Sequence, residues 1–142
     1  MPVYEHHFTL DEANALLPRL RGWFRELAEL DERLAPLGAQ HAKLLEQRSA
    51  CNVGGRELGE YLSLSLRWRR RVERILDLGV QIKDIDRGLC DFPHLLEDGR
   101  EVYLCWQITE PEVAWWHGIE EGFAGRRPLG AGRRRRPRRD EG

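Results

Sequence analysis

Little in this chain suits a disulfide scaffold, a membrane span or a motif-defined enzyme. Its 142 residues include three cysteines and one methionine. Cys51, Cys90 and Cys105 are odd in number, widely spaced and lack a Cys-x-x-Cys pair, which excludes a disulfide framework and a metal site of that spacing. They read as small buried hydrophobes, with Cys90 and Cys105 expected to face each other across a small sheet. No apolar run approaches the roughly 20 residues needed to cross a bilayer. The opening MPVYEHHFTLDEA is acidic and poor in apolar residues, unlike a secretory signal, so cytoplasm is the expected location. No spacing matches a phosphate-cradling glycine loop, a nucleophile elbow or a closed metal set.

What the chain does have is charge, helical periodicity and a dense final third. Charged residues make up 33% of it and hydrophobic ones 41%, the balance of a globular domain with heavily charged helix faces. The formal net charge of -1 conceals a division, since residues 126–142 carry +6 through eight arginines and leave -7 on the rest. The reading is one helix-rich domain over 1–129 and a disordered Arg-rich tail over 130–142, whose Gly, Pro and Arg cannot bury enough apolar area to offset ordering.

Thr9-Leu10-Asp11-Glu12 forms a Thr-x-x-Glu capping box and predicts a helix start. Ala13, Leu20, Leu27 and Leu34 then recur every seven residues, as do Leu16, Trp23, Leu30 and Leu37, the a/d seam of a coiled coil. With Leu17 and Phe24 added, the stripe is wider than one intramolecular partner needs, which predicts homodimers through this helix. Pro18 predicts a kink, and Pro36 with Gly38 an end. A short helix is expected over 40–48, a turn at Asn52-Val53-Gly54-Gly55, and a second long helix over 57–78. Arg67, Arg69, Arg70, Arg71 and Arg74 fall on the latter's wet side.

Gly79 caps that helix and the period drops to two. Strands are predicted over 80–85, 89–92 (stopped by Pro93) and 100–108, with turns at Asp86-Arg87-Gly88 and Glu97-Asp98-Gly99, giving a three-stranded antiparallel meander. Thr109 and Glu112 form a second capping box with Pro111 in the first turn, predicting a final helix that ends at Gly122. The fold class is therefore α+β and mainly helical: two long antiparallel helices and a shorter one packed with the meander and a C-terminal helix.

The blocks FTLDEANALLPRL (8–20), GLCDFP (88–93), GREVYLCW (99–106), EPEVAWWH (110–117) and GFAGRRPL (122–129) together resemble domain of unknown function 2203, a family of small bacterial proteins. Ile108-Thr109 stands where that pattern has Leu-Gly before Glu-Pro, and the tail beyond Leu129 lies outside it. The resemblance implies a cytoplasmic, helix-rich bacterial protein and carries no activity with it.

Candidate chemistry concentrates between Lys83 and Leu129. On a helix, His117, Glu120 and Glu121 share one arc, and with Asp84, Asp86 or Asp91 supplied by the sheet they would make a divalent-metal set. The alternative is a histidine that orients a helix, with both glutamates in water. Asp91 is either a general base or a carboxylate that pins a turn, its exit shaped by Pro93. Tyr103, Trp106, Trp115 and Trp116 line either a pocket for a flat ligand or an ordinary core. Arg133, Arg134, Arg135, Arg136, Arg138 and Arg139 offer non-specific phosphate contacts to nucleic acid or merely solvate the tail. The leading function is a non-enzymatic structural or interaction module. The alternative is a small metal- or ligand-binding enzyme using Asp91, His117 and Glu121.

Overall fold

A computed structural model describes residues 2–46 and 55–130. Two helices, α1 (Leu10–Glu46) and α2 (Gly55–Asp77), precede five strands, β1 (Gln81–Asp84), β2 (Leu89–Leu95), β3 (Glu101–Trp106), β4 (Trp115–Gly118) and β5 (Arg127–Pro128). The strands form one antiparallel sheet in sequence order, with a 3-10 turn at Phe123–Gly125 before the last. The class is α+β, but the sheet has two strands more than the meander expected from the sequence, and the final helix expected after Thr109 is replaced by strand and turn.

The start of α1 follows its capping box: Thr9 N donates to Glu12 Oε1 at 2.9 Å and Glu12 N to Thr9 Oγ1 at 3.0 Å. Pro36 does not end it. α1 runs 37 residues and absorbs Pro18, Pro36 and the start of the short helix predicted over 40–48. Each proline removes one amide, but both sit on the exposed side, where water can satisfy the freed carbonyl. The turn predicted at 52–55 falls mostly outside the described residues, as do Cys51 and the tail from Ala131. α2 is closed off by Gly79, two residues past its end, whose φ of 94° suits glycine and whose amide donates to Leu76 O at 2.9 Å.

The broad apolar stripe of α1 has two partners inside the molecule. Ala13, Leu17, Leu20, Phe24 and Leu27 join Cys90, Phe92, Leu104 and Trp106 from the sheet and Ile75 from α2 in one core. Among the described side chains of α1, no large hydrophobic is exposed. The width that suggested a dimer seam is thus accounted for by a sheet on one flank and a helix on the other. Arg71, placed on the wet side by the sequence, is half-buried and forks onto Glu26 at 2.9 and 3.3 Å.

β2 continues through Pro93 to Leu95, where the sequence predicted a stop. Pro93 pairs with Tyr103, and its carbonyl, on the opposite edge, accepts Phe8 N at 2.7 Å. In an antiparallel strand a residue's N–H and C=O share an edge, so the missing N–H faces away from β3 and costs no ladder bond. β1 has already ended there, its last partner along β2 being Asp91 opposite Gln81.

Alternation then divides the sheet. Cys90, Phe92, Leu104, Trp106 and Trp116 face the helices, whereas Asp91, Tyr103, Cys105, Trp115 and His117 project from the other face. Cys90 and Cys105, expected to meet, lie on opposite faces, because Cys90 is in register with Trp106 and Cys105 with Asp91. Both are free thiols.

A buried Asp–Cys–His cluster as candidate functional site

The segment after β3 decides where His117 goes. Arg21 Nη2 from α1 donates to the carbonyls of Glu110 and Pro111 at 2.8 and 2.9 Å, and Asn14 Oδ1 accepts Val113 N at 2.8 Å. Those carbonyls would have accepted the next helical turn, so engaging them with α1 denies the predicted helix its first bonds. Glu110 holds the connection further: its Oε1 accepts Gln107 N at 3.0 Å and its carbonyl accepts Trp106 Nε1 at 3.0 Å. The chain emerges extended and pairs with β3, placing Trp115 opposite Cys105 and His117 opposite Tyr103.

Asp91 from β2, Cys105 from β3 and His117 from β4 therefore converge from three adjacent strands on the face away from the helices. Their candidate donor atoms all lie within 4.8 Å of one another. His117 Nε2 is 3.1 Å from Asp91 Oδ2, and both side chains are only 2% exposed. His117 Nδ1 donates to Gly118 O at 2.9 Å, and the second carboxylate oxygen, Asp91 Oδ1, is buried with no hydrogen-bond partner among the described residues.

Burial raises the pKa of Asp91 above the ordinary carboxylate value, opposed by His117, the Cys105 thiol and the more distant Lys83. Burial and the neighbouring Asp91 charge push the Cys105 thiol up to about 12. Burial likewise lifts Cys90 well above an ordinary thiol. By themselves these thiols are protonated at neutral pH and are not activated nucleophiles.

A strap from the N-terminus covers the flank. Val3 N and Tyr4 N donate to the two Glu101 carboxylate oxygens at 2.7 and 2.9 Å, and His7 Nε2 meets Glu101 Oε2 at 2.7 Å. The Tyr4 and Tyr103 hydroxyls hydrogen-bond to each other. The Tyr103 ring stands 5.4 Å from that of His117, with Lys83 Nζ 4.9 Å above it. Burial and the Tyr4 bond raise the Tyr103 phenol above its ordinary value. On the other flank Arg126 grips Glu110 at 2.7 and 2.8 Å and lies 4.9 Å above the Trp115 ring.

Of the residues singled out by sequence, the structure brings Asp91 and His117 together and leaves the other acids outside the cluster. The helical arc of His117, Glu120 and Glu121 does not exist, because His117 is on a strand. Glu120 is exposed. Glu121 accepts Gly118 N at 2.7 Å and pairs with Arg127 at 3.0 Å, contacts that lower its pKa, the Gly118 amide most. Asp84 and Asp86 line an open groove of about 390 Å³ with Asp31 and Trp68. Nor do the four aromatics share a pocket, since Trp106 and Trp116 face the helices while Tyr103 and Trp115 face the cluster. Cys105 and the strap residues Tyr4, His7 and Glu101 were not assigned to a site from sequence. Odd-residue parity along β3 was the one signal available for Tyr103 and Cys105.

Among the described residues, no helix is long and apolar enough to cross a membrane. No curated protein and no solved structure matches the chain. A family described as "Uncharacterized conserved protein (DUF2203)" matches residues 6–129. That span runs from the strap through both helices and all five strands, and the chain belongs to the DUF2203 family.

Proposed function

We propose that this protein is a non-enzymatic interaction module that self-associates, and that the contact is made by the outer face of α2 rather than by α1. The observation that carries the proposal is a row of exposed leucines. Leu62, Leu66 and Leu76 are 56%, 45% and 46% exposed. At 100° per residue they share an arc of about 80° with Arg69 and Glu73, roughly opposite the core-facing Leu64 and Ile75. The face is self-complementary: two antiparallel copies of α2 crossing at residue 71 set Leu66 against Leu76 of the second copy, and Arg69 against Glu73, each pair occurring twice. A closed two-fold interface requires that reciprocity. The burial of Asp91, Cys105 and His117 supports the non-enzymatic half, because a substrate has no approach to side chains so little exposed.

Light scattering on the purified chain tests this, with a dimer mass expected. Arg69→Glu and Glu73→Arg each put like charges together and should weaken the dimer, whereas the double exchange restores the pairing and should recover it. A monomer at high concentration, or a double exchange no better than either single one, refutes the α2 contact.

A further inference from the structure

The cluster behind the sheet presents a bonding problem that packing alone does not resolve. A carbonyl can only accept, so the Nδ1 of His117 that meets Gly118 O carries the ring proton. In the neutral imidazole the lone pair is then on Nε2, directed at Asp91 Oδ2 from 3.1 Å. Two acceptors thus face each other in a space closed to water, with Asp91 Oδ1 buried beside them and unpartnered among the described residues. One proton shared between the carboxyl and the imidazole would bridge a single N···O contact and leave the other oxygen only the weak S–H donor of Cys105. A cation satisfies the carboxylate and the imidazole together.

The geometry suits a small tetrahedral ion. Metal bonds of 2.0–2.3 Å to oxygen, nitrogen and sulfur set tetrahedral ligands about 3.3–3.7 Å apart. The Asp91–His117 separation is already close to that, and the 4.8 Å bound on the set leaves only small side-chain rotations to complete it. An imidazole whose far nitrogen donates to a backbone carbonyl has the outer support typical of a metal ligand. The donor set decides the class: one sulfur, one imidazole and one carboxylate favour zinc-like ions over calcium or magnesium, which take oxygen alone.

We propose that Asp91, Cys105 and His117 bind one divalent transition-metal ion of the zinc class, with the unpartnered Asp91 Oδ1 turned towards the ion as well. On binding, the Cys105 S–H bond breaks, a sulfur–metal bond forms and the proton leaves to solvent, with no change of oxidation state. With three strands each supplying a ligand, the ion ties β2, β3 and β4 together on the face the helices do not cover.

The test uses untagged full-length protein stripped with a chelator and titrated with Co²⁺, whose thiolate charge-transfer band reports sulfur ligation. Background thiols are removed by Cys51→Ala and Cys90→Ala, the latter on the helix face of the sheet, so that Cys105 alone can produce the band. We expect the band to saturate at one equivalent, Zn²⁺ to displace Co²⁺, and Asp91→Asn to weaken Zn²⁺ binding at least about 100-fold, since even supporting residues around a metal cost 10–100-fold. Circular dichroism verifies folding in each variant. A folded Cys51→Ala/Cys90→Ala protein that shows no thiolate band at excess Co²⁺ overturns the proposal. So does full-strength Zn²⁺ binding by folded Asp91→Asn. Should Cys105→Ala fail to fold, the band in the background variant still decides the matter.

Discussion

Removing either partner of the Asp91–His117 pair from metal-free protein should have very unequal consequences. In Asp91→Asn the new side chain is isosteric with the native aspartate, and its amide N–H would donate to the Nε2 lone pair that the Gly118 carbonyl imposes. The substitution supplies a donor to Nε2 and removes a buried ionisable group, while the amide carbonyl inherits the unpartnered position of Oδ1. Asp91→Asn should therefore change stability by no more than about 1 kcal/mol in either direction. His117→Ala removes the bond to Gly118 O, the edge contact with Tyr103 at 5.4 Å and the imidazole that faces Asp91 Oδ2. Leaving one member of a buried pair unmatched costs about 3–5 kcal/mol. For a domain of this size the two differ as a melting shift of about 3 °C against about 10 °C. Urea unfolding followed by circular dichroism, with chelator present throughout, measures both. If Asp91→Asn proves as damaging as His117→Ala, the native pair is a charged imidazolium–carboxylate couple and the reasoning from the Gly118 carbonyl is wrong.

Further outcomes follow from other parts of the structure. Glu101 is drawn upward by burial but further downward by the Val3 amide, His7 and the Tyr4 amide, so its folded pKa lies below the ordinary glutamate value. Its stabilisation is then present above the unfolded value and lost as pH falls through the folded one, so the strap should detach in acid, below the ordinary glutamate value of about 4.3. Amide exchange at Val3 and Tyr4 reports this, and unchanged protection in acid, or in Glu101→Gln at neutral pH, contradicts it. Gly88 has φ of 58°, and a Cβ there would sit 2.8 Å from Ile108 Cβ, so Gly88→Ala should cost about 2–3 kcal/mol in chemical denaturation. A loss below about 0.5 kcal/mol would mean that the β1–β2 turn relaxes freely. Any retention on DNA at low salt should disappear when residues 131–142 are deleted, and retention by the truncated protein would assign it to the folded part.

Much of this fold is legible in the sequence because its signals are local. The Thr9–Glu12 box, the seven-residue stripe of α1, the glycine closing α2 and the alternation of β1 to β3 each depend on neighbours within a few residues. Asp91 and His117 attract attention for their chemistry. Their meeting was not legible, because it depends on the state of residues 109–118. Thr109-Glu110-Pro111-Glu112 carries every local mark of a helix start, yet Arg21 and Asn14, about 90 residues away in sequence, take the backbone groups that helix needs, and the edge of β3 offers a ladder instead. Pro93 is read through rather than obeyed for a related reason, since its bare edge faces Phe8 and not a strand. A capping box or a proline sets a local preference of about 1–3 kcal/mol, and a sheet edge seeking a partner, with long side chains bonding the connection to α1, outweighs it. Local preference determined where the chain can be helix or strand. Only the competition for backbone hydrogen bonds in the assembled molecule decided that His117 lies on a strand, one diagonal step from Cys105 and within reach of Asp91.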